Sequence, residues 1–198
     1  MESFVVYEGV GAPLRMSNID TDQILPSRFL KRVSRSGFGD GLFIEWRAIP
    51  EFVLNQTAFA HASVLVAGAD FGIGSSREAA VWALQDYGFR AVIAPRFGDI
   101  FRINAGKSGL VALQLAELKI ERLWDYLDAN PGAAITIDLE HCTVVAGDDF
   151  HEDFVIEDYV RWQLLNGFDD IAVTLASDEA ITDFESTRPR IKPRIYES

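Results

Sequence analysis

The stretch that most constrains this chain is an apolar run, Ser63-Val-Leu-Val-Ala67, leading into Gly68-Ala-Asp-Phe-Gly72-Ile-Gly74-Ser75-Ser76-Arg77-Glu78 and then Ala79-Ala-Val-Trp-Ala-Leu-Gln85. The pattern predicts a buried strand, a glycine-rich turn and a helix. Ser75 and Glu78 fit the S-x-x-E capping box, which would start the helix at Ser76. A helix start presents free backbone N–H groups and partial positive charge, so two hydroxyls and the Arg77 guanidinium delivered there make a seat for an anion. On the residues alone a second reading stands beside it: a capped helix whose Arg77 pairs with a nearby acid.

The elements after this stretch alternate. A helix over 76–87 ending at Gly88 and a strand over 90–95 complete a βαβ unit. A helix over 97–104, a turn over 105–109, a strand over 110–115 and an amphipathic helix over 117–130 follow. Residues 134–139 and 142–146 alternate like an antiparallel hairpin, and 150–156 adds a strand. Helices are expected over 157–166 and from Asp169 or Asp170 to about Phe184. The pattern is that of one α/β domain with a mixed sheet over 1–198, and Pro-broken, basic 188–198 reads as an extended arm. Before the central stretch, Phe4–Val10 is a short strand closed by Gly9, Gly11 and Pro13. Asn18–Arg35, with two aspartates and a cluster of basic residues from Arg28, reads either as a functional loop or as a solvated, Asx-capped turn.

The glycine-rich turn fails both nucleotide motifs. Five residues separate Gly68 from Gly74 and no lysine follows, so it is not a P-loop; Gly72-Ile-Gly74 is followed by Ser-Ser-Arg, so it is not a dinucleotide fingerprint. A carboxylate is then the better anion, because an arginine grips one through two parallel hydrogen bonds. The G-x-S-x-G elbow of a serine hydrolase is also missing. Eighteen basic against thirty acidic residues give a net charge of −12, which argues against nucleic acid and against anionic lipid. No run is long enough to span a membrane and no signal peptide is visible, so a cytoplasmic protein is expected. The single cysteine, Cys142, supplies neither a disulfide nor the ligands of an iron–sulfur cluster, and the three histidines are too scattered for a metal site.

The segment Gly72-Ile-Gly-Ser75-Ser76-Arg77-Glu78 closely resembles the swivel domain of the aconitase superfamily. So do Asn18-Ile-Asp-Thr-Asp22-Gln-Ile-Leu-Pro26, Trp82-Ala-Leu-Gln-Asp-Tyr-Gly-Phe-Arg90, Val92-Ile-Ala-Pro95, Gly98-Asp-Ile-Phe101 and Leu164-Leu-Asn-Gly-Phe-Asp-Asp170. Within the superfamily, the length and the Phe29-Leu-Lys-Arg-Val-Ser-Arg35 stretch before Gly37-Phe-Gly39 resemble the small subunits of bacterial isopropylmalate-type dehydratases. The resemblance implies a swivel-type β/β/α fold: α/β, with a mixed, largely parallel sheet flanked by helices. It implies a hydro-lyase of leucine biosynthesis that moves a hydroxyl of a small dicarboxylate by dehydration and rehydration. The active enzyme would need a cluster-bearing large subunit that holds a [4Fe–4S] cluster, with no cofactor in this chain. Ser75 matches the base that takes the carbon-bound proton, and Ser76 and Arg77 match groups that hold a carboxylate. Arg28 is the candidate for a second carboxylate contact, and Phe29, Leu30, Lys31 and Arg32 would form a specificity loop. Ile73, Ala79 and Val81 depart from the commoner family residues, which leaves open a methylmalate- or homocitrate-type substrate; a non-catalytic carboxylate-binding module is the alternative from another class.

Overall fold

The computed structural model describes residues 1–31, 36–75, 77–175 and 178–187. Ser76, Arg32 and the arm over 188–198 therefore lie outside the described residues. The chain begins with β1 (Val6–Leu14), β2 (Ile19–Asp20) and the single turn α1 (Thr21–Ile24). Three-residue to five-residue 3-10 segments and α2 (Ile44–Arg47) lead to β3 (Val64–Ala67), β4 (Phe71–Ile73) and α3 (Glu78–Tyr87). Then come β5 (Ala91–Ala94), α4 (Asp99–Ser108), β6 (Val111–Gln114) and α5 (Glu117–Ala129). The hairpin β7 (Ala134–Asp138) and β8 (Thr143–Ala146), β9 (Phe150–Asp153), α6 (Asp158–Asn166), α7 (Asp170–Leu175) and α8 (Asp178–Thr187) complete it.

The main sheet has the order β6-β5-β3-β1-β7-β8-β9. Its β6, β5, β3 and β1 are parallel, while β1, β7, β8 and β9 are antiparallel. The mixed α/β sheet expected from the residues is thus present, with β1 shared by both halves. Every side chain of β3 is fully buried, which explains a continuous apolar run in place of alternation. Val64 and Val66 pack with Ile120, Leu123 and Leu127 of α5 on one face. Leu65 and Ala67 pack with Ala80, Val81 and Leu84 of α3 on the other. Full burial of such a Leu or Val contributes about 1.5–3 kcal/mol, so the two helices are held by the strand between them.

Several boundaries differ from the sequence-based expectation for physical reasons. β1 runs through Gly9, Gly11 and Pro13 to Leu14. Its pairing with β7 ends at Val10, and Gly11 N–H still donates to Ala133 O at 3.0 Å. Pro13 comes two residues later on that same side, beyond the partner strand, so its missing N–H breaks no ladder bond. α4 continues through 105–108, where a turn was expected, because Ala105 is buried in the core that α3 shares and Gly106 is buried against Val160 of α6. The last helix is described as two, α7 and α8. The Asn18–Arg35 segment is part core: Ile19, Thr21, Ile24 and Leu25 are buried and Phe29 is half-buried, while Asn18, Asp22, Gln23, Ser27, Arg28, Leu30 and Lys31 are exposed.

Candidate active site

The glycine-rich segment is more than a turn. Phe71–Ile73 forms β4, which pairs in parallel with β2, so Ile19 sits opposite Phe71 and Asp20 opposite Ile73. This small ladder brings Asp20-Thr21-Asp22 beside Gly74-Ser75. Asp20 caps α1: its carboxylate accepts from Gln23 N–H at 2.7 Å, and Gln23 Oε1 accepts from Asp20 N–H at 2.8 Å. A reciprocal capping box therefore exists, but here and not at Ser75–Glu78. α3 begins at Glu78 with Arg77 at its N-cap and no side-chain cap, which corrects both the expected start at Ser76 and the expected box. The reason is the extended conformation of Arg77 (φ −136°, ψ 103°), set as the chain leaves β4.

Gly72 has φ +72°, and a Cβ there would lie 2.3 Å from the Phe101 ring. Only glycine combines that left-handed backbone with that contact. Gly98 is tighter still, since its Cβ would meet the Gly72 carbonyl oxygen at 2.4 Å, and backbone cannot swing aside as a side chain can. The close approach of Gly72 to Gly98 places the start of α4 against the β4–α3 loop. Gly98→Ala is expected to push the two apart at a cost of about 1–3 kcal/mol, read as a lower denaturation midpoint together with reduced catalytic activity.

The result is an open cleft of about 270 Å³ walled by Thr21, Gly72–Ser75, Arg77 and Gly98–Phe101. Of the helix starts that border it, those of α3 and α4 carry no side-chain cap. The amides of the first α4 turn, Asp99, Ile100 and Phe101, have no acceptor within the helix and present partial positive charge, set against the Asp99 carboxylate on the same rim. Thr21, buried at 2 % exposure, donates its hydroxyl to Ser75 O at 2.9 Å and ties the loop to α1. Ser75 is exposed to the cleft.

Arg77 lines the same cleft and is ion-paired with Asp22 of α1. The hydrogen bond from Arg77 holds the Asp22 carboxyl below its ordinary range. A lowered carboxyl stabilises the fold above the unfolded value near 3.8 and loses that contribution as pH falls through the folded value, so the pair is intact at neutral pH. Both readings of Arg77 meet in this geometry: it pairs with an acid, and it faces a cleft. A guanidinium has five donors, and the bond to Asp22 comes from a single nitrogen, Nη1.

The other candidates do not wall this cleft. Arg28 lies on the 3-10 segment Ser27–Lys31, bonds Glu45 at 2.6 Å and stacks over Phe29 at 5.2 Å. Phe29 packs against the core, while Leu30 and Lys31 are exposed. Ser76 and Arg32 are outside the described residues. Thr21 and the Gly98–Phe101 turn are the cleft residues that reasoning on residue chemistry missed, and Asp22 is the missed partner of Arg77. Their signal was present as the Asn18–Pro26 and Gly98–Phe101 motifs, but their roles depend on which loops meet.

Among the described residues, no group of three or more His, Cys, Asp or Glu side chains is placed to hold a metal ion. Cys142 sits alone in the β7–β8 turn, its thiol 3.7 Å from Leu139 O. The donor set of this chain does not fit an iron–sulfur cluster.

A mixed sheet that presents Gly74, Ser75 and Arg77 between the starts of α3 and α4 fits an aconitase-type C-terminal domain, and the model of the aconitase C-terminal domain matches residues 1–118. The LeuD_N model matches 121–158, and the model of the C-terminal domain of the 3-isopropylmalate dehydratase small subunit matches 170–195. The chain is 58% identical over 196 residues to the 3-isopropylmalate dehydratase small subunit of a Nocardioides species, covering 98% of this chain and 97% of that one. It is 57% identical over 194 residues to the protein of that name from Corynebacterium kroppenstedtii, covering 98% and 99%. A solved 3-isopropylmalate dehydratase structure from Methanocaldococcus jannaschii shares the fold, with a TM-score of 0.67 at 24% identity, covering 91% of this chain and 99% of that one. The chain belongs to the family of 3-isopropylmalate dehydratase small subunits. No described helix is long and apolar enough to cross a membrane.

Proposed function

We propose that this chain is the base-bearing half of a heteromeric hydro-lyase, interconverting 2-isopropylmalate and 3-isopropylmalate through isopropylmaleate in leucine biosynthesis. The observation that carries the proposal is that Ser75 and Arg77 open onto one cleft, in a chain 58% identical along its length to a named small subunit. Residues 1–198 are taken as one swivel-type domain. Support comes from β1, which pairs with β3 on one side and β7 on the other, so the two halves of the sheet cannot part without breaking it.

The chemistry asked of this chain is deprotonation at carbon next to a carboxylate. Ser75 takes the carbon-bound proton. A serine hydroxyl has far too high a pKa to do so unaided, and the uncapped start of α4 together with Arg77 supplies the positive field that stabilises an alkoxide. Arg77 and Ser76 hold one substrate carboxylate, with Asp22 keeping the guanidinium aimed and Thr21 holding the Ser75 backbone. Arg28 exchanges Glu45 for the second carboxylate when the two chains close together, and Phe29, Leu30, Lys31 and Arg32 border the substituent that distinguishes substrates. The departing hydroxyl needs a Lewis acid, which we assign to a [4Fe–4S] cluster on the large subunit, since this chain lacks the ligands.

Reconstitution tests this. The purified chain mixed with its large subunit should hydrate isopropylmaleate, and neither chain should do so alone. Poor turnover of 2-isopropylmalate beside good turnover of a shorter or longer hydroxy-dicarboxylate would overturn the substrate assignment.

A further inference from the structure

α4 carries an apolar surface that no strand or helix of this chain covers among the described residues. Ile100 and Ile103 are three residues apart and therefore share a face; they are 49% and 53% exposed. Ile100 lines the Ser75–Arg77 cleft. Ile103, one turn on, lines a separate groove between α4, β6 and the β9–α6 connection. The floor of that groove is Gly106, Leu110 and Val160, and its far lip is Val155, which is 89% exposed. Arg102 and Glu157 place one charge of each sign at its edge. An apolar centre with a mixed polar rim is the composition of a protein interface.

We propose that this groove is a docking site for the large subunit, receiving an apolar side chain of that partner beside the shared active site. The inference rests on the reading of the cleft as half of an active site. If the cleft is completed by another chain, that chain must lie across its rim. The rim includes Ile100, and the same helix face continues through Ile103 into the groove. A second copy of this chain is the poorer occupant. It would close the cleft with a chain that again has one cysteine, and each copy carries a net charge of −12. Gly106 contributes by leaving space: a Cβ there would reach 3.0 Å from Val160, so the groove floor is kept low where α4 crosses α6.

The test measures association of the full-length chain with its large subunit, using Ile103→Glu and Val155→Glu. Both positions are already exposed, so unchanged circular dichroism and melting midpoint are expected. Leu118→Glu on α5, at an apolar position outside the groove whose exposure lies between those of Ile103 and Val155, is the control. The two groove variants should weaken association by about tenfold or more, the scale of a lost interface hot spot, and recover activity when the large subunit is raised to saturation. The control should leave association unchanged. Undiminished association of both groove variants would overturn the proposal, as would an equal loss in the control, or dissociation of a self-dimer with no change in affinity for the large subunit. Ser75→Ala separates this from the functional reading, because it should assemble normally yet be inactive. Groove-dependent assembly that yields no dehydratase activity even with Ser75 intact would sink the functional reading and leave the docking site standing.

Discussion

Ser75→Ala, assembled with the large subunit, should lower kcat by about 10²- to 10⁴-fold, the range lost when a positioned general base is removed. KM should change little, because the hydroxyl acts on the proton in transit and not on the bound ground state. Melting should be unaffected as well. The Ser75 side chain is exposed, and the interaction that anchors the loop is made by its carbonyl, which accepts from Thr21 and survives the substitution. Steady-state kinetics together with a melting curve check all three expectations. Activity equal to wild type would remove Ser75 from the mechanism while leaving the cleft itself in place. Thr21→Val probes the same loop from beneath: it keeps the shape and deletes the donor, so it should lose activity by a smaller factor.

The second large effect concerns Arg77. Lysine keeps the charge and loses the planar fork, so Arg77→Lys should raise KM for the dicarboxylate by about tenfold to a hundredfold, with a smaller fall in kcat. Its effect on folding should be slight. Asp22 is 54% exposed on its side chain, and an ion pair with so wet a partner is worth about 0–1 kcal/mol once solvent screening is counted. Measurement of KM across salt concentrations would add a second check, since an attraction of this kind weakens as ionic strength rises. A purely structural Arg77 would behave in the opposite way, with a lowered melting midpoint and an unchanged KM.

These expectations differ in kind from those that the residues alone support. Ser75 and Arg77 stand two apart in the chain, so their meeting at one cleft was legible once the strand and helix around them were. Asp22 was not legible as the partner of Arg77. It lies 55 positions away, and only the pairing of β2 with β4 brings it near. The same ladder explains why a segment that reads as a polar loop buries Ile19 and Thr21. It also explains the failed capping box. An S-x-x-E pattern describes a local preference, but the chain leaving β4 holds Arg77 extended, and the helix cannot begin before Glu78.

Local rules settled what depends on near neighbours. The fully apolar run of β3 announced a strand covered on both faces. Gly88 marked a helix end, where it takes up a left-handed conformation. The single cysteine settled that no cluster could be built from this chain alone. The tertiary structure decided what depends on distant segments coming together: the packing of Gly98 on the Gly72 carbonyl, where a Cβ would lie only 2.4 Å away, the α4 start that completes the cleft, and the exposed Ile100–Ile103 face that continues it. Hydrophobic periodicity reports which side of an element is buried, but it carries no address for the element that buries it. The addresses of Asp22, Gly98 and Ile100 were written only in the packing of the sheet.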